Sequence, residues 1–293
     1  PTVRTIASVT WIVFFALDLG VLFWSSAVLM NILLGWTIWT SILITAGVVG
    51  IYTYFGGITA VIMTDVVQMI IMFVGGFALV FLSLDAVGGW EAMVEKITNM
   101  GPEYRSHFHI IQPSDTASPF PWTGILFGLT FVMANAYMIG NQSIVQRCLT
   151  AKNEWHAKAS MIFASGLKML IPIVVLFPGL MAIVVHPGLL DGDQALPMMI
   201  KTILPPGLVG LMFAAFFFFF LSSVDSLLNS TATLFTKDIY EPYIKKGADD
   251  KHYLKVGQVT TLVLLIIGVA TAPISSDFPG IYVAIQTFMS FFQ

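Results

Sequence analysis

Long, nearly uncharged apolar runs recur along this chain, at roughly 4–31, 35–55, 58–84, 121–146, 158–187, 206–236 and 253–275, with a partial run from about 279. A helix crossing a bilayer takes about 20 mostly apolar residues, and each complete run meets that length. Lipid offers the backbone no hydrogen-bonding partner, so only helices and closed barrels can span it. The runs are continuous and lack the alternation of barrel strands. The expected fold is therefore all-α, a polytopic membrane helix bundle with the lipid bilayer as its surroundings. Composition agrees, since 57% hydrophobic and 10% charged residues cannot clothe a soluble globule. A net charge of −3 without a basic cluster gives no footing for nucleic acid. The single cysteine, Cys148, has no internal disulfide partner.

The chain opens on Pro1 and closes inside the apolar stretch IYVAIQTFMSFFQ. It reads as an interior piece of a longer multi-pass protein, with residues 1–293 forming a single transmembrane transport domain. Lys and Arg placement orients it. With the first helix starting inside, the inner segments hold Arg4, Arg147, Lys152, Lys158, Lys237, Lys245, Lys246, Lys251 and Lys255, against Lys96, Arg105 and Lys201 outside. GGWEAMVEKI in the external segment 85–120 suits a short interfacial helix, and HPGLLDGDQALPMMIKTILPP suits another.

Four ionisable residues fall within the expected spans: Asp18, Asp65, Lys168 and Asp225. A charge at bilayer depth is costly, so such groups face a protein-lined cavity and meet a partner or a substrate there. Lys168, in SMIFASGLKMLIPIVVLFPG, is the lone cation and points to transport. Asp18 reads equally well as a carboxyl bonded to a neighbouring helix. Asp65 shares a stripe with Thr64 and Gln68; it either serves a site or reaches interfacial water. In FLSSVDSLLNSTATLFTKD, Ser222, Asp225, Ser226, Asn229 and Thr233 recur at three- and four-residue spacing and share one helix face. One carboxylate with hydroxyls can replace the hydration shell of a hard monovalent cation; the alternative is close helix packing through small polar residues.

Asn135, Tyr137, Gly140, Asn141 and Gln142 bring small and polar residues into another span, where Gly–Asn marks a bend. Amides, with Gln286 and Lys168, suit an uncharged polyol, and Tyr137 can stack on a ring. All five histidines lie in connectors and no nucleophile–base grouping occurs in the spans, which speaks against an enzyme.

IYTYFGGITAVIMTDVVQ, NQSIVQRCLTAKN, GLKMLIPIVVLFPG and LSSVDSLLNSTATLFTKDIY occur in that order and resemble the sodium:solute symporter family, closest to its sodium/sugar branch. The resemblance implies a leucine-transporter-like fold of two inverted five-helix repeats, of which this chain holds core helices three to nine and the start of the tenth. It implies sodium as the coupling ion, a sugar as the solute, alternating access and the plasma (cell inner) membrane. By position, Ser222 and Ser223 match the hydroxyl pair that ligates sodium, and Phe219 lends its backbone carbonyl. Asp65, Asp225 and Ser226 match positions tied to sodium release or to a second sodium. Tyr137 matches the aromatic inner gate, and Lys168 and Gln286 match sugar contacts. Ala134 stands where the sugar branch has an asparagine, with Asn135 one residue along. Five phenylalanines, 216–220, stand where the family has small residues. A non-sugar solute such as a sialic acid, a carboxylate, inositol or proline remains open, as does a sensory-input domain built on the same bundle.

Overall fold

Apolar side chains carry these segments out of water, and each backbone must then bond to itself. The computed structural model describes residues 2–55, 58–109, 111–116 and 120–290, and all regular structure in them is helical. The chain runs through α1 (Thr2–Leu34), α2 (Ile38–Phe55), α3 (Ile58–Val87) and α4 (Gly89–Met100). After a connecting stretch, a wide-wound segment, Gly124–Met133, leads into α5 (Ala134–Gly140). There follow α6 (Gln142–Leu149), α7 (Glu154–Lys168), α8 (Ile171–Val185) and α9 (Ala195–Ile203). Next, α10 (Pro206–Leu234) continues as a second wide-wound segment, Phe235–Ile244. The last elements are α11 (Asp250–Thr271), the tight turn Ala272–Asp277 and α12 (Ile281–Ser290).

Five described stretches are long and apolar enough to cross a membrane: Thr2–Leu34, Asp65–Val87, Glu154–Val185, Pro206–Ile244 and Asp250–Asp277. Gly124–Gly140 and Gln142–Leu149, bent by 47°, make a sixth if taken together, while Ile38–Ile51 and Ile281–Ser290 are shorter apolar helices. This is an integral membrane protein. The sequence expectation of an unbroken span at 35–55 shortens because Thr37 caps α2, accepting from Thr40 N at 3.2 Å. The span expected at 121–146 breaks where its Gly–Asn pair suggested. Asn141 Oδ1 accepts from Ser143 N at 2.9 Å and starts a new helix. The run expected at 158–187 holds as one membrane-length stretch, Glu154–Val185, in which a turn at 169–170, just after Lys168, interrupts the α-helical pattern because Pro172 supplies no amide to the turn before it. The two short helices expected in 85–120 and in HPGLLDGDQALPMMIKTILPP both form, as α4 and α9.

The chain divides into two compact units. In the first (Pro1–Val66, Met138–Gln146 and Phe217–Gln293), α1 packs on α2, α11, α12 and both segments that follow α10 and α11. Phe15, Leu19 and Phe23 are fully buried there. Glycines let α11 approach closely: a Cβ on Gly268 would sit 3.0 Å from Leu19 Cβ, and one on Gly20 would meet the Thr271 backbone at 3.0 Å. The 33 residues of α1 reach about 50 Å at 1.5 Å per residue. That exceeds a hydrocarbon layer of about 30 Å, so α1 extends beyond that layer unless strongly tilted.

In the second unit (Val67–Tyr137 and Arg147–Phe216), α8 pairs with α9 and α4 lies against α8. Met93, Ile97, Met199, Ile200 and Met212 are among its buried side chains, and the Trp90 and Phe177 rings lie 5.6 Å apart. Lys96 Nζ donates to the Val87 carbonyl at 2.8 Å and closes the turn before α4.

Candidate functional site

The polar face of α10 lies in the first unit and its hydroxyls are largely self-satisfied. Ser226 Oγ donates to the Ser222 carbonyl at 2.8 Å, Ser230 Oγ to the Ser226 carbonyl at 2.7 Å, and Thr233 Oγ1 to the Asn229 carbonyl at 2.8 Å. A hydroxyl that spends its proton on its own helix still offers lone pairs outward. Ser222 Oγ instead donates to Asp65 Oδ1 on α3. This bond joins two of the residues expected to serve the ion. One turn along, Asp225 is almost wholly buried and its Oδ1 accepts from Asn229 Nδ2 at 3.0 Å. Ser226 is buried and Ser223 half-buried on the same helix. Together they form an oxygen-rich strip holding two carboxylates, the donor set a hard cation requires.

Phe219 is exposed, as is Phe218, with the Phe219 and Phe220 rings 5.6 Å apart. The side chains at 216–220 therefore leave the packed face in part. Gln68, read as part of the Asp65 stripe, belongs to the second unit; it is buried, and its Oε1 has no hydrogen-bond partner among the described residues. The Thr64 side chain lies outside the described residues. No hydrogen bond or ion pair among the described residues engages the Asp18 carboxyl.

The expected solute contacts divide between the units. Gln286, in the first, has a buried Oε1 with no hydrogen-bond partner among the described residues. Lys168, Tyr137 and Asn135 lie in the second. Lys168 is the exposed last residue of α7, at the helix break. Tyr137 is half-buried, and Asn135 is exposed with its Nδ2 donated to the Phe131 carbonyl at 2.8 Å. That bond uses one of the two N–H donors of the amide.

A second polar cluster escapes sequence reading. Arg4 Nε donates to Asp238 Oδ1 at 2.6 Å, Arg4 Nη2 to the Lys237 carbonyl at 3.2 Å, and Ser8 Oγ to Asp238 Oδ2. The start of α1 is thus tied to the segment after α10. The only sequence signal was that both ends lie in segments assigned to the same side.

The sodium:solute symporter family model matches residues 2–293. The chain is 34% identical over 278 residues to sodium/glucose cotransporter 4 of Danio rerio, covering 85% of this chain and 42% of that protein. It is 33% identical over 294 residues to the sodium/glucose cotransporter of Vibrio parahaemolyticus, covering 92% and 53%. It is 32% identical over 276 residues to sodium/myo-inositol cotransporter 2 of Homo sapiens, covering 84% and 40%. The chain thus spans about half the length of these relatives or less. Its fold matches a solved Na+-coupled sialic acid symporter in a substrate-bound outward-open state, with a TM-score of 0.76 at 24% identity over 98% of this chain and 61% of the other. A match along almost every residue, carried by an all-helical membrane bundle with this strip of oxygens, leaves one conclusion: the chain belongs to the sodium:solute symporter family.

Proposed function

We propose that the protein containing this chain is a sodium-coupled symporter of a small polar solute, most simply a sugar, and not an enzyme. The observation that carries this reading is the Ser222–Asp65 bond beside the buried Asp225. On this reading Ser222, Ser223 and the Phe219 carbonyl ligate one sodium. Asp65, Asp225 and Ser226 release it or hold a second. Sodium entry is driven by its gradient plus about 2.3 kcal/mol per charge per 100 mV of membrane potential. Coupling requires sodium to favour the state that accepts solute. Lys168, Gln286, Tyr137 and Asn135 are the proposed solute contacts, and the buried unpaired Gln286 Oε1 is the acceptor a sugar hydroxyl would fill. Residues 1–293 then form one transport domain, part of a five-plus-five inverted repeat in the plasma membrane.

Among the relatives are glucose and inositol cotransporters, and the matched structure is a sialic acid symporter. A non-sugar solute is the second reading, favoured by Ala134 at the position of the sugar branch's asparagine. Uptake of radiolabelled sugars, inositol and sialic acid into liposomes holding the full-length protein, in sodium and in potassium, separates these. Solute uptake indifferent to sodium in every case would overturn the symport reading.

A further inference from the structure

The wide-wound segment Phe235–Ile244 and the first turns of α11, both in the first unit, form an open groove of about 350 Å³. Ligand sites usually hold about 300–1,000 Å³. Phe235, Tyr240 and Ile244 make one wall, and Val256, Val259 and Thr260 of α11 make the other. Nearly all of the lining surface is apolar. Its polar side chains turn to partners within the protein. Tyr240 Oη and His252 Nε2 share a hydrogen bond of 3.0 Å, and Thr260 Oγ1 donates to the Val256 carbonyl at 2.9 Å.

The charge on this wall has one sign. Lys255 lines the groove, is exposed, and makes no hydrogen bond or ion pair among the described residues. No carboxylate lines the groove among the described residues, and those close in sequence are engaged or face elsewhere. Asp249 caps α11 by accepting from His252 N at 3.2 Å, Glu241 pairs with Lys237 at 3.0 Å, and Asp250 lines a separate hollow that Lys237 also lines. Lys251 stands one turn before Lys255 on the same face of α11 and adds a second exposed cation.

Beyond Lys255 that face is apolar. Val259, Val263 and Ile266 follow at four-, four- and three-residue spacing and are 53%, 50% and 68% exposed. From Lys255 to Ile266 the helix rises about 16 Å at 1.5 Å per residue. One leaflet fills half of a hydrocarbon layer of about 30 Å, so the stripe has the length of a single acyl chain. A ligand matched to this surface carries such a chain and one anionic end. A free phosphate would leave the groove unused, a neutral lipid would leave the lysines unused, and another helix of the protein would need a carboxylate at the depth of Lys255.

We propose that the groove is a binding site for an anionic phospholipid, with one acyl chain against Phe235, Val256 and Val259 and the phosphate meeting Lys255. The site does not depend on what the protein transports.

The test uses the full-length protein in phosphatidylcholine liposomes holding a trace of photoactivatable lipid. The probe carries a diazirine on one acyl chain and is either a phosphatidylglycerol or a phosphatidylcholine; labelled residues are located by peptide mass spectrometry after illumination. Phosphatidylglycerol should label the groove about fivefold more than phosphatidylcholine, the preference that one lysine confers for an anionic surface. Lys255→Gln should bring that labelling down to the phosphatidylcholine level, and Lys255→Arg should keep it. Val259→Trp, at a position exposed enough to take the ring, should fill the groove and cut its labelling severalfold while labelling elsewhere on the protein stays the same. Equal labelling by the two lipids is ordinary boundary lipid and overturns the site, as does labelling that ignores Lys255→Gln. A groove that neither lipid labels is covered by another part of the protein, which also overturns it. Transport is not measured, so a failure of the symport reading would leave each of these outcomes as it stands.

Discussion

The Ser222 hydroxyl donates to the Asp65 carboxylate across 157 positions of sequence, joining α3 to the polar strip of α10. A hydroxyl bonded to a carboxylate keeps both lone pairs, so the pair can hold a cation without rebuilding itself. A hydrogen bond to a charged group contributes about 1.5–3 kcal/mol, which makes this contact worth testing first.

Ser222→Ala should raise the sodium concentration for half-maximal solute uptake by about tenfold, equivalent to 1.4 kcal/mol. Ser223→Ala should act in the same direction. Sodium titrations of uptake by the full-length protein check this, and unchanged sodium activation in both variants would remove the pair from the ion site.

Asn229→Ala withdraws a donor from the buried Asp225 carboxylate. Leaving a buried acceptor under-satisfied costs about 1–3 kcal/mol, so the detergent-solubilised variant should melt earlier. In an Asp225→Ala background the same change should cost much less, a double-mutant cycle read by thermal denaturation.

Lys168→Ala should lower solute uptake by raising KM while leaving sodium activation intact, because the lysine stands apart in sequence and unit from the α10 strip. Wild-type kinetics would reject it as a solute contact.

The Arg4–Asp238 pair predicts an asymmetry. The Arg4 side chain is 62% exposed and that of Asp238 only 13%. Arg4→Ala should therefore cost little, and less still at high salt. Asp238→Ala also orphans Ser8, which is buried, and should cost about 1–3 kcal/mol more or less independently of salt. Thermal denaturation at low and high salt separates the two.

Gly20→Ala should destabilise by about 1–3 kcal/mol, the scale of overpacking. The new methyl would meet the Thr271 backbone carbonyl carbon at 3.0 Å and the Ala272 nitrogen at 3.1 Å, and backbone cannot swing aside as a side chain can. Gly257→Ala, with 3.8 Å of space, serves as the control.

The apolar runs by themselves determined an all-helical membrane bundle, because length and hydropathy are local quantities and lipid permits the backbone few alternatives. The spacing of Ser222, Asp225, Ser226, Asn229 and Thr233 likewise revealed a shared face, since helical period is written into sequence, and the Gly140–Asn141 pair revealed a bend. What meets that face was decided only in three dimensions. Asp65 reaches Ser222, Thr53 and Thr236 come to line one cavity, and Arg4 finds Asp238 through packing within the first unit. Such pairings depend on helix approach distances set by residues like Gly20 and Gly268, and no periodicity along the chain records them. The break after Lys168 lies between these cases: Pro172 is visible in the sequence, but an X–Pro step alone does not say whether a helix bends or stops.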